Sequence, residues 1–171
     1  MNKSILPEKL KEINTLLFDK CDFLITNCIE EKESSEYDAF RFEINGIKIL
    51  YRLAKITPTK IGQFVTFWKR LNTGIIAPLD SNDDIDLFVI NVKSENNFGQ
   101  FVFSKKILIE KGILTHGSKN GKLAARVYPK WDKTENKQAI KTQQWQLNYF
   151  IKISENETLD IERVKKMYQI I

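Results

Sequence analysis

Residues 39–54 read AFRFEINGIKILYRLA, two apolar-rich runs hinged on Asn45-Gly46. Asparagine and glycine tolerate the positive φ angles of a type I′ turn, whose twist matches that of two antiparallel strands. A two-residue loop sets Ile44 opposite Ile47, Phe42 opposite Ile49 and Phe40 opposite Tyr51, all on one apolar face. The other face carries Arg41, Glu43, Lys48 and Arg52. Glu43 and Lys48 face each other, whereas Arg52 has only Ala39 opposite and no local carboxylate. The stretch predicts a hairpin with a core on one side and an unmatched cation on the other.

Working outward, the segment before the hairpin places Pro7 near a helix start and spaces Leu10, Ile13, Leu17 and Cys21 three to four residues apart, which predicts a helix packed on a core. Between them ITNCIEEKESSEYD, acidic and serine-containing, reads as a solvated connection. Beyond the hairpin, Pro58 ends the strand, and GQFVTFWKR (62–70) suits a strand or a short helix equally. Its first four residues recur at 99–102, as two related strands or a chance repeat would give. IDLFVINVKS and FGQFVF predict a second hairpin around Glu95-Asn96-Asn97, apolar on both faces as central strands are. Ser104 caps KKILIEKG, which Gly112 stops. THGSKNGK is a surface loop and LAARVYP a strand. A helix from Lys137 is expected to carry Ile140, Leu147 and Ile151 on one side, and a last helix runs from Leu159 through Ile161, Val164, Met167 and Ile171.

These elements predict an α/β (α+β) fold: one domain over residues 1–171, with a mixed, mainly antiparallel central sheet flanked by N- and C-terminal helices. The N-terminal stretch interleaves charges with apolar residues, unlike a secretory signal, and no run is long enough for a membrane span, so a cytoplasmic protein with no membrane association is expected. Cys21 and Cys28 read as reduced, half-buried thiols, and His116, the sole histidine, as a loop residue. No phosphate-binding glycine motif occurs, and no serine- or cysteine-hydrolase signature accompanies the single histidine. No metal site and no cofactor are predicted.

Charge is distributed unevenly. The chain carries a formal +5, and from Ile44 to Leu79 it has no Asp or Glu while Lys48, Arg52, Lys55, Lys60, Lys69 and Arg70 fall there. Acids crowd at Glu30, Glu31, Glu33 and Glu36 before this window and at Asp80, Asp83, Asp84 and Asp86 after it. A second acid-free stretch runs from Asn136 to Ser154. Unneutralised cations attract phosphates through counterion release. Trp68, Trp131 and Trp145 offer stacking surfaces for bases, whereas Phe64 and Phe67 suit a core. Two other chemistries use the same residue types. A metal-dependent nuclease would draw on Asp84, Asp86 and Lys93, although Asn91 stands where an acid would be wanted. A pocket for a phosphorylated small molecule would use the Arg and Lys set.

The block TPTKIGQFVTFWKR (57–70), with FGQFVFSKKILIEKGIL, ARVYPKWD and AIKTQQWQLNYF, resembles the MepB family of small bacterial cytoplasmic proteins, over about residues 37 to 151. The family is named from a multidrug-efflux operon. The resemblance implies a fold similar to that of restriction-endonuclease-like proteins, with nucleic-acid binding as the expected activity. On the matched blocks the candidate nucleic-acid contacts are Arg52, Lys55, Lys60, Gln63, Trp68, Lys69, Arg70, Gln100, Arg126, Trp131, Lys141, Gln144 and Trp145. The expectation is a binder of DNA or RNA acting through an exterior basic surface, with no demonstrated catalysis and no obligate protein partner, a metal-dependent nuclease or a binder of a phosphorylated small molecule being the alternatives. The Asn91-Val92-Lys93 sequence departs from the acid-x-lysine pattern of active nucleases of that fold.

Overall fold

A computed structural model of the protein describes residues 5–170, so Ile171, expected in the last helix, lies outside the described residues. Pro7 leads into α1 (Glu8–Ile13), which widens into a π-helical turn and then tightens into a 3₁₀ turn that ends at Cys21. Strands β1 (Ile25–Glu30), β2 (Phe40–Ile44) and β3 (Ile47–Leu53) follow. Short strands β4 (Lys55–Ile56), β5 (Gln63–Thr66), β6 (Trp68–Arg70) and β7 (Ile76–Pro78) lead to the long pair β8 (Leu87–Ser94) and β9 (Asn97–Ser104). Then come α2 (Lys105–Glu110), β10 (Ala124–Val127), α3 (Lys137–Gln146), β11 (Phe150–Ile153) and α4 (Ile161–Met167).

The hairpin of β2 and β3 has the register its turn predicts: Ile44 pairs with Ile47, Phe42 with Ile49 and Phe40 with Tyr51. Asn45 and Gly46 take φ of 50° and 81°, as a type I′ turn demands. The hairpin nucleates a six-stranded sheet in the order β1-β2-β3-β8-β9-β11, antiparallel except between β3 and β8. Alternation along the central strands then builds two cores. Ile49, Tyr51, Leu87, Val89, Val102, Ile151 and Ile153 face α1 and α4, where Leu10, Ile13, Leu17, Phe18, Val164 and Tyr168 are buried. Leu50, Phe88, Ile90, Val92, Phe101, Phe103 and Phe150 face the opposite way, toward Val65, Phe67, Val127 and α2. Both terminal helices thus cover one face. The other is covered by a three-stranded sheet, β10-β5-β4, a two-stranded sheet, β6-β7, and the helices α2 and α3.

Two expectations are corrected, and one open alternative is decided. ITNCIE is the edge strand β1, not a loop; a bulge at Asn27, with φ of 52°, interrupts its pairing with β2. As an edge strand it exposes much of its surface, so its composition resembles a loop. Ile151 leaves α3 and enters β11, and Ile140 is exposed, so the 140/147/151 stripe is not a helical face. The repeated GQFV falls in two different sheets and marks no structural duplication.

A hydrogen-bonded row crosses the first core. Tyr168 donates to Gln100 Oε1, Gln100 Nε2 to Asn91 Oδ1 at 2.8 Å, and Asn91 Nδ2 to the Tyr51 hydroxyl at 2.7 Å. Burying four polar side chains costs little when each has a partner. On the opposite face Gly99 leaves room for Phe150: a Cβ there would lie 2.4 Å from the ring. Gly99→Ala is expected to lower stability by about 1–3 kcal/mol, as overpacking does. Urea unfolding at constant m-value checks this, and an unchanged midpoint would show that the ring swings clear.

Candidate functional site

The acid-free window does not form a free cationic surface. Arg52 is 1% exposed and its Nη2 donates to Glu31 Oε2 at 2.8 Å, while Arg41 takes the other oxygen of the same carboxylate. Burial lowers the pKa of Arg52, and Glu31 opposes that shift. Lys55 pairs with Glu36, Arg70 with Glu33 and Lys69 with Asp83. The acids flanking the window in sequence fold back upon it, so the expectation of an unquenched basic run is overturned for these four residues. Gln63 and Gln100 are buried, the first donating to Lys93 O and the second in the core row. Trp68 lies beneath Arg70, and Trp131 packs edge-on to Phe150 with its Nε1 buried and unpartnered. Eight of the thirteen candidate residues therefore lie in the interior, in ion pairs with the protein's own acids or, for Trp68, under one of those paired cations.

The nuclease set is not gathered either. Asp84 pairs with Lys48 at the entry to β8 and Asp86 accepts from the Lys48 amide, whereas Lys93 pairs with Glu12. Asp86 and Lys93 lie near opposite ends of β8, roughly 20 Å apart at strand rise. Among the described residues no cluster of three or more His, Cys, Asp or Glu could hold a metal ion.

The remaining five, Lys60, Arg126, Lys141, Gln144 and Trp145, line three adjoining hollows beside α3, two of them against β10, which together form a furrow. Its construction follows from local chemistry. β10 pairs with β5 on one side and leaves its other edge open. Gln146, 1% exposed on α3, closes that edge: its Oε1 accepts from Tyr128 N at 2.8 Å and its Nε2 donates to Arg126 O at 2.9 Å, as a neighbouring strand would. Gln143 Nε2 donates to Pro129 O and Asp132 O, tying down the preceding loop. Asn136 caps the helix by accepting from Ala139 N at 2.8 Å. Arg126 holds the 57–62 loop, donating to Thr57 Oγ1 at 2.9 Å and Gly62 O at 3.2 Å with its guanidinium over Phe64. Burial raises the pKa of the neighbouring Asp132, against a hydrogen bond from the Gly62 amide.

The furrow consists of three adjoining hollows, the middle one of about 300 Å³. Arg126, Tyr128, Asn136 and Ala139 are shared with the hollow that Lys60 lines, and Lys111, Gln138, Thr142 and Trp145 with the hollow that Lys137 and Lys141 line. Six cations border it: Lys60, Lys111, Lys122, Arg126, Lys137 and Lys141. Among the described residues none of the six forms an ion pair with a carboxylate, and Glu135 is the one acid lining the furrow. Lys111 Nζ sits 5.4 Å from the centroid of the Trp145 ring, which packs inward on Phe103. Lys111, Lys122 and Lys137 were absent from the candidate residues. A signal for them exists in the chain: from Lys105 to Lys141 there are ten Lys or Arg and three acids, Glu110, Asp132 and Glu135. Glu110, Asp132 and Glu135 interrupt the run around Lys111 and Lys122, whereas Lys137 lies within the acid-free stretch from Asn136 to Ser154.

A family model described as MepB-like matches residues 31–152. The crystal structure of MepB is similar over 90% of this chain and 100% of that one, with 35% identity and a TM-score of 0.76. A bacterial homing endonuclease, I-Ssp6803I, is similar over 84% of this chain and 94% of that one, with 17% identity and a TM-score of 0.45. No curated protein matches. Among the described residues no helix is long and apolar enough to cross a membrane. With the family model spanning most of the α+β core and a solved relative aligned along its whole length, the chain belongs to the MepB-like family.

Proposed function

We propose that the protein binds nucleic acid by its phosphate backbone along the furrow beside α3. The observation that carries this reading is the six cations bordering three adjoining, open hollows along α3, none of these cations paired with a carboxylate among the described residues. Cations whose charge is spent on internal acids gain little from a phosphate, whereas unpaired ones release condensed counterions when they meet a polyanion. The length and openness of the furrow suit an extended polymer better than a compact metabolite, which an enclosed cavity would hold. Binding there needs no bound metal and no reaction. The free thiols Cys21 and Cys28 suit the reducing cytoplasm, where we take the protein to act.

A salt series tests the reading. Engagement of four or five phosphates on a duplex gives a log–log slope of affinity against salt of about −4. Lys111→Ala, Lys122→Ala and Lys141→Ala are each expected to lower the magnitude of that slope by about one. A slope near zero, or one moved by Lys55→Ala instead, would reject the site.

A further inference from the structure

The ten residues of α3 contain four glutamines and no acid, and the fold divides those glutamines into two pairs. Gln143 and Gln146 point inward and spend their amides on the backbone of β10 and of the loop after it. Gln138 and Gln144 are exposed, and their side chains have no hydrogen-bond partner among the described residues. At 100° per residue they lie with Lys137 and Lys141 within an arc of about 120°, in which Trp145 also falls but turns inward onto Phe103. This face is polar without being charge-balanced, which a merely solvated helix has no reason to be. Its inner side is meanwhile pinned by four hydrogen bonds, so the outer groups are presented on a rigid element.

Resting on the nucleic-acid reading above, we infer that α3 is a reading helix that enters the major groove of duplex DNA and touches base edges through Gln138 and Gln144. The dimensions fit. The helix is about 15 Å long and about 10–12 Å across with side chains, and the major groove of B-form DNA is about 12 Å wide. Glutamine presents a donor and an acceptor that match N7 and N6 of adenine together, so A·T pairs are the preferred targets. Lys60, toward the Asn136 end of the helix, and Lys111, beside Trp145 near its other end, are placed to meet the flanking phosphates. The deep, narrow major groove of A-form RNA does not admit a helix.

The test uses the full chain and a duplex DNA pool with a randomised centre, alongside single-stranded DNA and duplex RNA. Selection is expected to enrich A·T pairs, with a preferred site bound on the order of tenfold to a hundredfold more tightly than one with a central substitution. The double variant Gln138→Ala, Gln144→Ala should lose that preference and keep the salt slope. A steep slope without sequence preference, or a preference that survives the double variant, would overturn the reading helix and leave phosphate binding intact. A flat salt response would overturn both.

Discussion

Glu31→Gln is expected to destabilise the protein by about 3–5 kcal/mol, the cost of stripping a buried cation of its counter-charge. Arg52 projects from β3 on the face away from the terminal helices and is 1% exposed. Its Nη1 donates to Tyr51 O at 3.0 Å, its Nη2 to Glu31, and its Nε has no partner. One carboxylate therefore supplies all the opposite charge, and it serves Arg41 as well. Glutamine keeps the shape and removes that charge. Guanidinium-chloride unfolding measures the loss, which is a large share of the about 5–15 kcal/mol of a whole domain. The double change Glu31→Gln, Arg52→Met should recover much of it, because an apolar replacement removes the cation together with its need for a partner. A loss below about 1 kcal/mol in the single variant would show that solvent reaches Arg52. The same pair makes a functional statement: Arg52→Met with Glu31→Gln should leave the salt dependence of nucleic-acid binding unchanged.

Alkaline pH is expected to unfold the protein through its buried phenols. Burial raises the pKa of Tyr51 and of Tyr168 far above the ordinary tyrosine value. The sign follows from which state releases protons. Unfolded tyrosines ionise near pH 10 while the folded ones stay protonated, so the stability these two phenols contribute is complete below about pH 10 and falls above it. Each phenol contributes a decline of about 1.4 kcal/mol per pH unit. Burial also raises the thiols of Cys21 and Cys28, which act in the same direction from about pH 8.5. Urea midpoints across pH 8 to 12 should therefore fall with a steepening slope, and tyrosinate absorbance from the two buried rings should appear only with unfolding. Titration of all five tyrosines near pH 10 in a protein that stays folded would contradict this.

Much of the fold was legible locally. The Asn45-Gly46 turn set the hairpin register, apolar alternation on both faces marked β8 and β9 as central, and Ser104 and Gly112 bounded α2. The elements missed are those whose stability comes from a neighbour. β1 is an exposed edge strand that owes its form to the ladder with β2, and β11 exists because β9 offers a free edge beside Gly99. The helix from Lys137 was foreseen, but not what holds it: Gln143, Gln146 and the inward Trp145 fix α3, not the 140/147/151 stripe.

The candidate site divides the same way. Turn chemistry, alternation and capping act over two to five residues, so the chain by itself determined the hairpins, the two-faced sheet and the helix ends. Coulomb attraction acts through space and takes no account of separation along the chain. Only the tertiary structure decided that Glu31, Glu33, Glu36 and Asp83 neutralise the acid-free window, and that Lys60, Lys111, Lys122, Arg126, Lys137 and Lys141 stand together without a partner.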